Sequence, residues 1–271
     1  MKNSWAFKFC ACLFMGLWPL SQLSAQEVFD CVVDPSEVLE VGSAVDGVVE
    51  EVMFGRGDTV RKGDIIARLE SSAETAALAY ARARAANKAQ IEIAQARVDL
   101  RQREADRIQT LYERDLIADV VLDEAMNTLE QAQIELRQAE LDSKLASLDQ
   151  IRSEAQLARR MIASPLDGIV IARMVGPGEF AYSQAPVAQL ARLDPLHVEV
   201  FLPREYYNVV EIGQTVKVQL ADPVNGAFDA TVTVKDRVLD AASDTFGVRM
   251  ALPNPDSRLP AGVDCVVQLS G

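Results

Sequence analysis

Imidazole and thiol are scarce in these 271 residues: one histidine, His197, and four cysteines, Cys10, Cys12, Cys31 and Cys265. Two cysteines crowd the N-terminus and the others lie far apart, so no zinc-ligand spacing exists. Met53, Met126, Met161, Met174 and Met250 are scattered, which argues against a soft-metal relay. No glycine-rich loop carries the lysine needed to cradle phosphate. Basic residues are outnumbered, 27 Lys and Arg against 40 Asp and Glu, for a formal charge of −13. Such a surface repels phosphate backbones and excludes nucleic acid as a partner. Acidic pairs such as Glu50-Glu51 come with no sign of a pocket and read as solvated surface. With no catalytic constellation, no metal site and no cofactor motif, the sequence reads as a non-enzyme.

Long apolar runs are also lacking. The longest, Phe9 to Leu20, falls short of the roughly 20 residues that span a bilayer. With Lys2 and Lys8 before it and small residues at Leu23-Ser24-Ala25, it reads as an export signal over 1–25, cleaved before Gln26. Export removes Cys10 and Cys12 and leaves Cys31 and Cys265. In an oxidising compartment that pair forms either a disulfide joining the first strand to the last, or two buried free thiols.

Glycine and proline are missing altogether from 70 to 163, between two copies of one motif. Ser43 to Leu69 recurs without a gap, 121 residues later, as Ser164 to Leu190. Ser43, Asp46, Gly47, Val49, Met53, Gly55, Gly57, Ala67 and Leu69 match Ser164, Asp167, Gly168, Val170, Met174, Gly176, Gly178, Ala188 and Leu190. A repeat of this kind means one structural unit duplicated. The copies read as short strands after Asp46-Gly47 and Asp167-Gly168 turns, with Gly55, Gly57, Gly63, Gly176 and Gly178 in further turns. The four glycines at 55, 57, 176 and 178 are expected at positive φ.

The intervening stretch is rich in Ala, Leu, Gln, Glu and Arg, all strong helix formers. Ala79, Ala86, Ile93 and Leu100 are expected on one seam, and Leu122, Leu129 and Leu136 with Ala125, Ala132 and Ala139 on the other. One unbroken helix would carry the two copies apart, so it must fold back. Arg114-Asp115-Leu116 is the expected turn and Asp119 the expected cap of the returning helix. Each arm then has about 40 residues and runs roughly 60 Å. Two such helices hide little surface, so lateral neighbours are expected.

Beyond Leu193 the pattern turns to period two. Val216, Val218 and Leu220; Val232 and Val234; Phe246, Val248, Met250 and Leu252; and Val263, Cys265, Val267 and Leu269 each alternate with polar residues. With Phe29, Cys31 and Val33 as a first strand, this reads as a small antiparallel barrel. The fold class is therefore α+β, elongated and multi-domain: a split β-sandwich with an inserted α-helical coiled-coil hairpin, plus a small antiparallel β-barrel. The expected boundaries are 26–41 and 194–271 for the barrel, 42–71 and 163–193 for the sandwich, and 72–162 for the hairpin.

Three groups of residues resemble the HlyD-like membrane-fusion, or periplasmic adaptor, family. Val45-Asp46-Gly47-Val48-Val49 through Gly57-Asp58-Thr59-Val60-Arg61-Lys62-Gly63-Asp64 is similar to its first lipoyl half, and Ala163-Ser164-Pro165-Leu166-Asp167-Gly168-Ile169-Val170 to its second, which implies that the split sandwich is a lipoyl-like β-sandwich. Leu193-Asp194-Pro195-Leu196-His197-Val198 and Gly213-Gln214-Thr215-Val216 resemble the start of its barrel. Asn254-Pro255 and Leu259-Pro260-Ala261-Gly262-Val263 resemble its last hairpin.

The resemblance implies a hairpin tip that meets a TolC-like outer-membrane channel. Arg107 and Leu111 match the family's tip pattern, Ala118 stands where it has serine, and Arg114, Asp115 and Leu116 complete the expected contact. It also implies an inner-membrane transporter as partner, of resistance-nodulation-division (RND) or ATP-driven (ABC) type, and side-by-side copies, a hexamer, around a conduit. The implied site is the periplasm, at the inner membrane, with the barrel nearest that membrane and the hairpin pointing outward. Many family members add a membrane-proximal domain; this sequence runs to Gly271, just past the last expected strand. Lipoate or biotin carriage is not expected, because Leu69-Glu70-Ser71-Ser72-Ala73 has no lysine and Lys62 lies in a turn. An envelope scaffold of the same fold, bracing partners without a conduit, is the rival reading.

Overall fold

The computed structural model describes residues 27–269, so the leader expected at 1–25 lies outside the described residues. Two compact units form, one from residues up to Asp34 with His197–Leu252 and Gly262 onward, the other from Pro35–Leu196 with Pro253–Ala261.

The second unit takes the end of β1 (Glu27–Gly42), then β2 (Gly47–Val52), β3 (Thr59–Val60) and β4 (Ile65–Leu69). Three helices follow: α1 (Ser72–Ala86), α2 (Ala89–Tyr112) and α3 (Asp119–Ala158). The chain then returns through β5 (Met161–Ala163), β6 (Gly168–Arg173), β7 (Phe180–Ala181) and the start of β8 (Pro186–Pro203). Strands β5, β4, β2 and β7 form one sheet in that order, while β8, β6 and β3 run side by side in the other.

The sequence repeat is visible as a rough two-fold exchange of hydrogen bonds. Gly57 N donates to Val170 O (2.8 Å) and Val170 N to Asp58 O (2.9 Å). At equivalent positions Gly178 N donates to Val49 O and Val49 N to Glu179 O, both at 2.8 Å. Strand pairs follow the same rule: Gly47 opposes Ala181 as Gly168 opposes Val60. Neither half can satisfy its backbone alone, which is why the copies must meet. Between them lies one core, in which Val49, Val60, Ile66, Leu69, Leu166, Val170, Val187 and Leu190 are all buried.

The helices double back as expected, with two corrections. The outgoing arm is interrupted at Asn87 and Lys88, where Asn87 turns to an extended conformation (φ −76°, ψ 111°). The break also shifts the buried stripe. Leu78, Ala81 and Ala85 face inward before it and Ala94 and Ala105 after it, leaving Ala79, Ala86, Ile93 and Leu100 exposed. The return arm keeps its heptads throughout, with Leu129, Ala132, Ala146 and Ser153 buried on the seam. Cross-arm contacts fix the register: Arg97 to Glu135 at 2.8 Å, Arg82 to Glu154 at 3.1 Å, and Lys88 Nζ to Ser143 Oγ at 2.6 Å.

The first unit is a closed antiparallel barrel. It uses the start of β1, the end of β8, β9 (Thr215–Leu220), β10 (Gly226–Lys235), β11 (Thr245–Leu252) and β12 (Val263–Leu269), in the ring order β1, β12, β9, β10, β11, β8. The period-two residues point inward as expected, except Val234: a bulge between Val232 and Val234 turns it outward, to 42% exposure. Cys31 and Cys265 are cross-strand partners, both buried, and they are disulfide-bonded.

Candidate functional site

The hairpin tip is built by a left-handed residue. Asp115 takes φ +57°, Leu116 N donates to Leu111 O (3.1 Å) and Asp115 N to Tyr112 O (2.8 Å). This is a Schellman closure of the outgoing helix, with aspartate where glycine is usual. Ala118, in extended conformation, occupies the capping position of α3; Asp119 is its first helical residue, which corrects the expected cap. The Asp119 carboxylate instead neighbours the Tyr112 phenol and holds it above its ordinary pKa, by hydrogen bonding first and by its charge second.

Of the expected tip residues, Arg107, Arg114, Asp115, Leu116 and Ala118 are solvent-exposed and Leu111 is half-buried. Leu116, 65% exposed, and Val120, 70% exposed, put uncovered apolar side chains at the turn. Such a surface suits contact with another protein and holds no reactive group.

At the other end of the hairpin, Arg160 clamps the arms to the sandwich. Its Nε and Nη2 donate to Glu74 Oε1 (2.9 and 2.5 Å) and its Nη1 to Asp46 O (3.1 Å). Arg159 Nη2 adds a bond to Ala44 O at 2.8 Å. Gly47 makes room: a Cβ there would lie 2.7 Å from Arg160 Nη1. Composition gave no signal for this clamp, because an Arg-Arg pair ending a charged helix looks like any solvated helix end.

Residues 37–192 match the family profile described as CzcB-like, barrel-sandwich hybrid domain. The chain belongs to the CzcB-like barrel-sandwich hybrid family. Residues 195–271 match a second profile, CusB-like, beta-barrel domain. The cobalt-zinc-cadmium resistance protein CzcB of Cupriavidus metallidurans is 27% identical over 225 residues, 83% of this chain and 41% of that protein. The efflux pump periplasmic linker BepF of Brucella suis is 27% identical over 249 residues, 85% of this chain and 55% of its own length. The chain thus spans about half the length of these curated relatives. Among solved structures, MacA from Actinobacillus actinomycetemcomitans superposes with a TM-score of 0.73 at 22% identity, over 90% of this chain and 78% of MacA.

In this barrel-sandwich hybrid the seven glycines singled out in the sequence do different jobs. Gly57, Gly63 and Gly178 adopt positive φ. Gly55 and Gly176 do not, contrary to expectation; their amides donate to Asp58 Oδ2 and Glu179 Oε2, both at 2.8 Å. Gly47 and Gly168 begin strands, and a Cβ on Gly168 would run into the carbonyl oxygen of Ala191. The Asp-Gly pairs are therefore not hairpin turns. Each aspartate reaches into the other half, Asp46 accepting from Ser183 N (2.6 Å) and Asp167 from Lys62 N (2.8 Å). Among the described residues no metal-binding cluster is found and no helix is long and apolar enough to cross a membrane.

Proposed function

We propose that this chain is the periplasmic adaptor of a tripartite efflux or secretion system. It links an inner-membrane transporter to a TolC-like outer-membrane channel, and several copies, six by family resemblance, enclose the conduit. The observation that carries the reading is the hairpin itself, inserted in a barrel-sandwich hybrid and ending in an exposed apolar turn. Arg107, Leu111, Arg114, Asp115, Leu116 and Ala118 form the channel contact. An RND-type transporter is favoured by the CusB-like barrel, and the names of CzcB and BepF, a resistance protein and an efflux pump linker, support export as the task. The segments 26–41 and 194–271, 42–71 and 163–193, and 72–162 serve as barrel, sandwich and hairpin, and 1–25 directs export. The fold acts by assembly and needs neither catalysis nor a cofactor.

Side-by-side copies are supported by the hairpin surface. Ile134, Leu141, Leu145, Leu148 and Ile151 of α3 are each about half exposed, a second apolar stripe beside the seam. An isolated hairpin leaves that stripe wet, and lateral neighbours would cover it.

The test is replacement of Leu111 to Ala118 by a short Gly-Ser turn in cells that depend on the chain for efflux. An adaptor loses resistance while remaining folded and exported. A scaffold that only braces the envelope leaves efflux unchanged, and that result would overturn the proposal.

A further inference from the structure

The two halves of the sandwich share a backbone but not a surface. Strand β7 edges one sheet and β3 edges the other, and the repeat makes them equivalent. On the β7 edge, Phe180 (48% exposed) opposes Val48 (44%) across the strand pair, and Tyr182 (59%) lies with its ring centroid 4.8 Å from that of Phe180. The neighbouring strand β2 adds the exposed carboxylate of Glu50. At the equivalent positions on the β3 edge stand Thr59 for Phe180, Arg61 for Tyr182, Lys62 for Ser183 and Arg56 for Pro177. All four are exposed, and among the described residues the three cations form no ion pair. One edge thus offers aromatic faces and a carboxylate; its counterpart offers three cations outside any ion pair, while the carboxylates beside them, Asp58, Asp64 and Asp167, accept from the backbone amides of Gly55, Arg61 and Lys62.

We propose that these edges meet between copies of this chain: Arg61, flanked by Arg56 and Lys62, seats on the Phe180–Tyr182 faces of the next copy. A guanidinium within about 6 Å of an aromatic centroid is attracted by the ring quadrupole, and arginine stacks well on such faces. The contact is therefore heterologous, head to tail, and of the kind that closes rings or extends filaments. It rests on the adaptor reading for the expectation that copies assemble, and it names the surface that joins them.

The experiment uses the full chain carrying Cys10→Ser and Cys12→Ser, with Thr59→Cys and Ser183→Cys added so that Arg61 and Tyr182 stay in place, treated with a short bismaleimide. A head-to-tail contact gives a ladder of covalent dimers, trimers and higher species. Each single-cysteine variant gives monomer only. In sedimentation, Arg61→Glu weakens self-association at least tenfold, and adding Tyr182→Arg restores it by reversing the pair. Circular dichroism and thermal unfolding should match the parent, because the side chains altered among the described residues, Thr59, Arg61, Tyr182 and Ser183, are all exposed. No ladder, dimers from Ser183→Cys alone, or no rescue by the double variant would overturn the contact. If the contact fails while tip-dependent efflux persists, the adaptor reading stands without it. If the ladder forms but efflux is indifferent to the tip, the contact stands and the adaptor reading falls.

Discussion

His197 lies on β8, and its imidazole is held below its ordinary pKa, first by burial and then by the nearby Arg249 guanidinium, against the pull of Glu199 and Asp34. The folded barrel therefore favours neutral imidazole. A depressed pKa contributes stability that is complete above about pH 6.5 and lost as pH falls through the lower folded value. His197→Gln removes that dependence. The difference in Tm between parent and variant should be constant from pH 7 to 8 and should shift against the parent as pH falls from about 6.5 to 5; parallel profiles would contradict this. The glycines make a second residue-scale prediction. Gly168→Ala forces a Cβ into the Ala191 carbonyl and should cost about 2 kcal/mol or more, in the range of core overpacking. Gly57→Ala, at φ +92° but with open space around it, should cost about 1 kcal/mol. Gly55→Ala, whose nearest neighbour would be Asp58 Oδ2 at 3.7 Å, should change stability by about 0.5 kcal/mol or less. Urea titration ranks the three.

Among the elements, the tip turn rests on one non-glycine residue in left-handed conformation. Asp115→Gly should hold or raise stability by about 0.5 kcal/mol, whereas Asp115→Val should lower it by about 1 kcal/mol or more, both read from urea midpoints. The turn at 114–116 was legible in the sequence because the heptads fade there and resume after it. The break at Asn87 and Lys88 was not, since both residues tolerate helix and neither glycine nor proline marks the site. The seam of the outgoing arm was misplaced for the same reason: Ala79, Ala86, Ile93 and Leu100 keep a seven-residue spacing of their own, on a face that α3 does not cover. Period two placed the barrel strands well because one face of each strand is buried, and it failed at Val234 because a bulge adds a residue that alternation does not register. The two halves of the sandwich were the clearest reading, since Gly168 is needed where the Ala191 carbonyl comes close and Gly47 where the Arg160 guanidinium packs, and neither can drift. The Arg160 clamp and the aromatic edge at Phe180 were silent, because each depends on which halves meet.

For the whole molecule, the Cys31–Cys265 bond closes a loop of 234 residues. Removing it as Cys31→Ala with Cys265→Ala should lower the stability of the barrel by up to about 5 kcal/mol, the chain-entropy ceiling for so long a loop. A fall in the denaturant midpoint under reducing conditions checks it, and an unchanged midpoint would mean that strand pairing alone holds the ends of the barrel together. The larger claim is that a duplicated β unit forces the helices between its halves to fold back. Spin labels at Arg97 and Glu135, which face each other across the arms, test it most directly. Pulsed electron resonance should give a separation of roughly 20 Å, an interaxial distance of 8–10 Å plus the label tethers. Helices running on unbent would place those positions, 38 residues apart, roughly 57 Å from each other, and that distance would contradict the account.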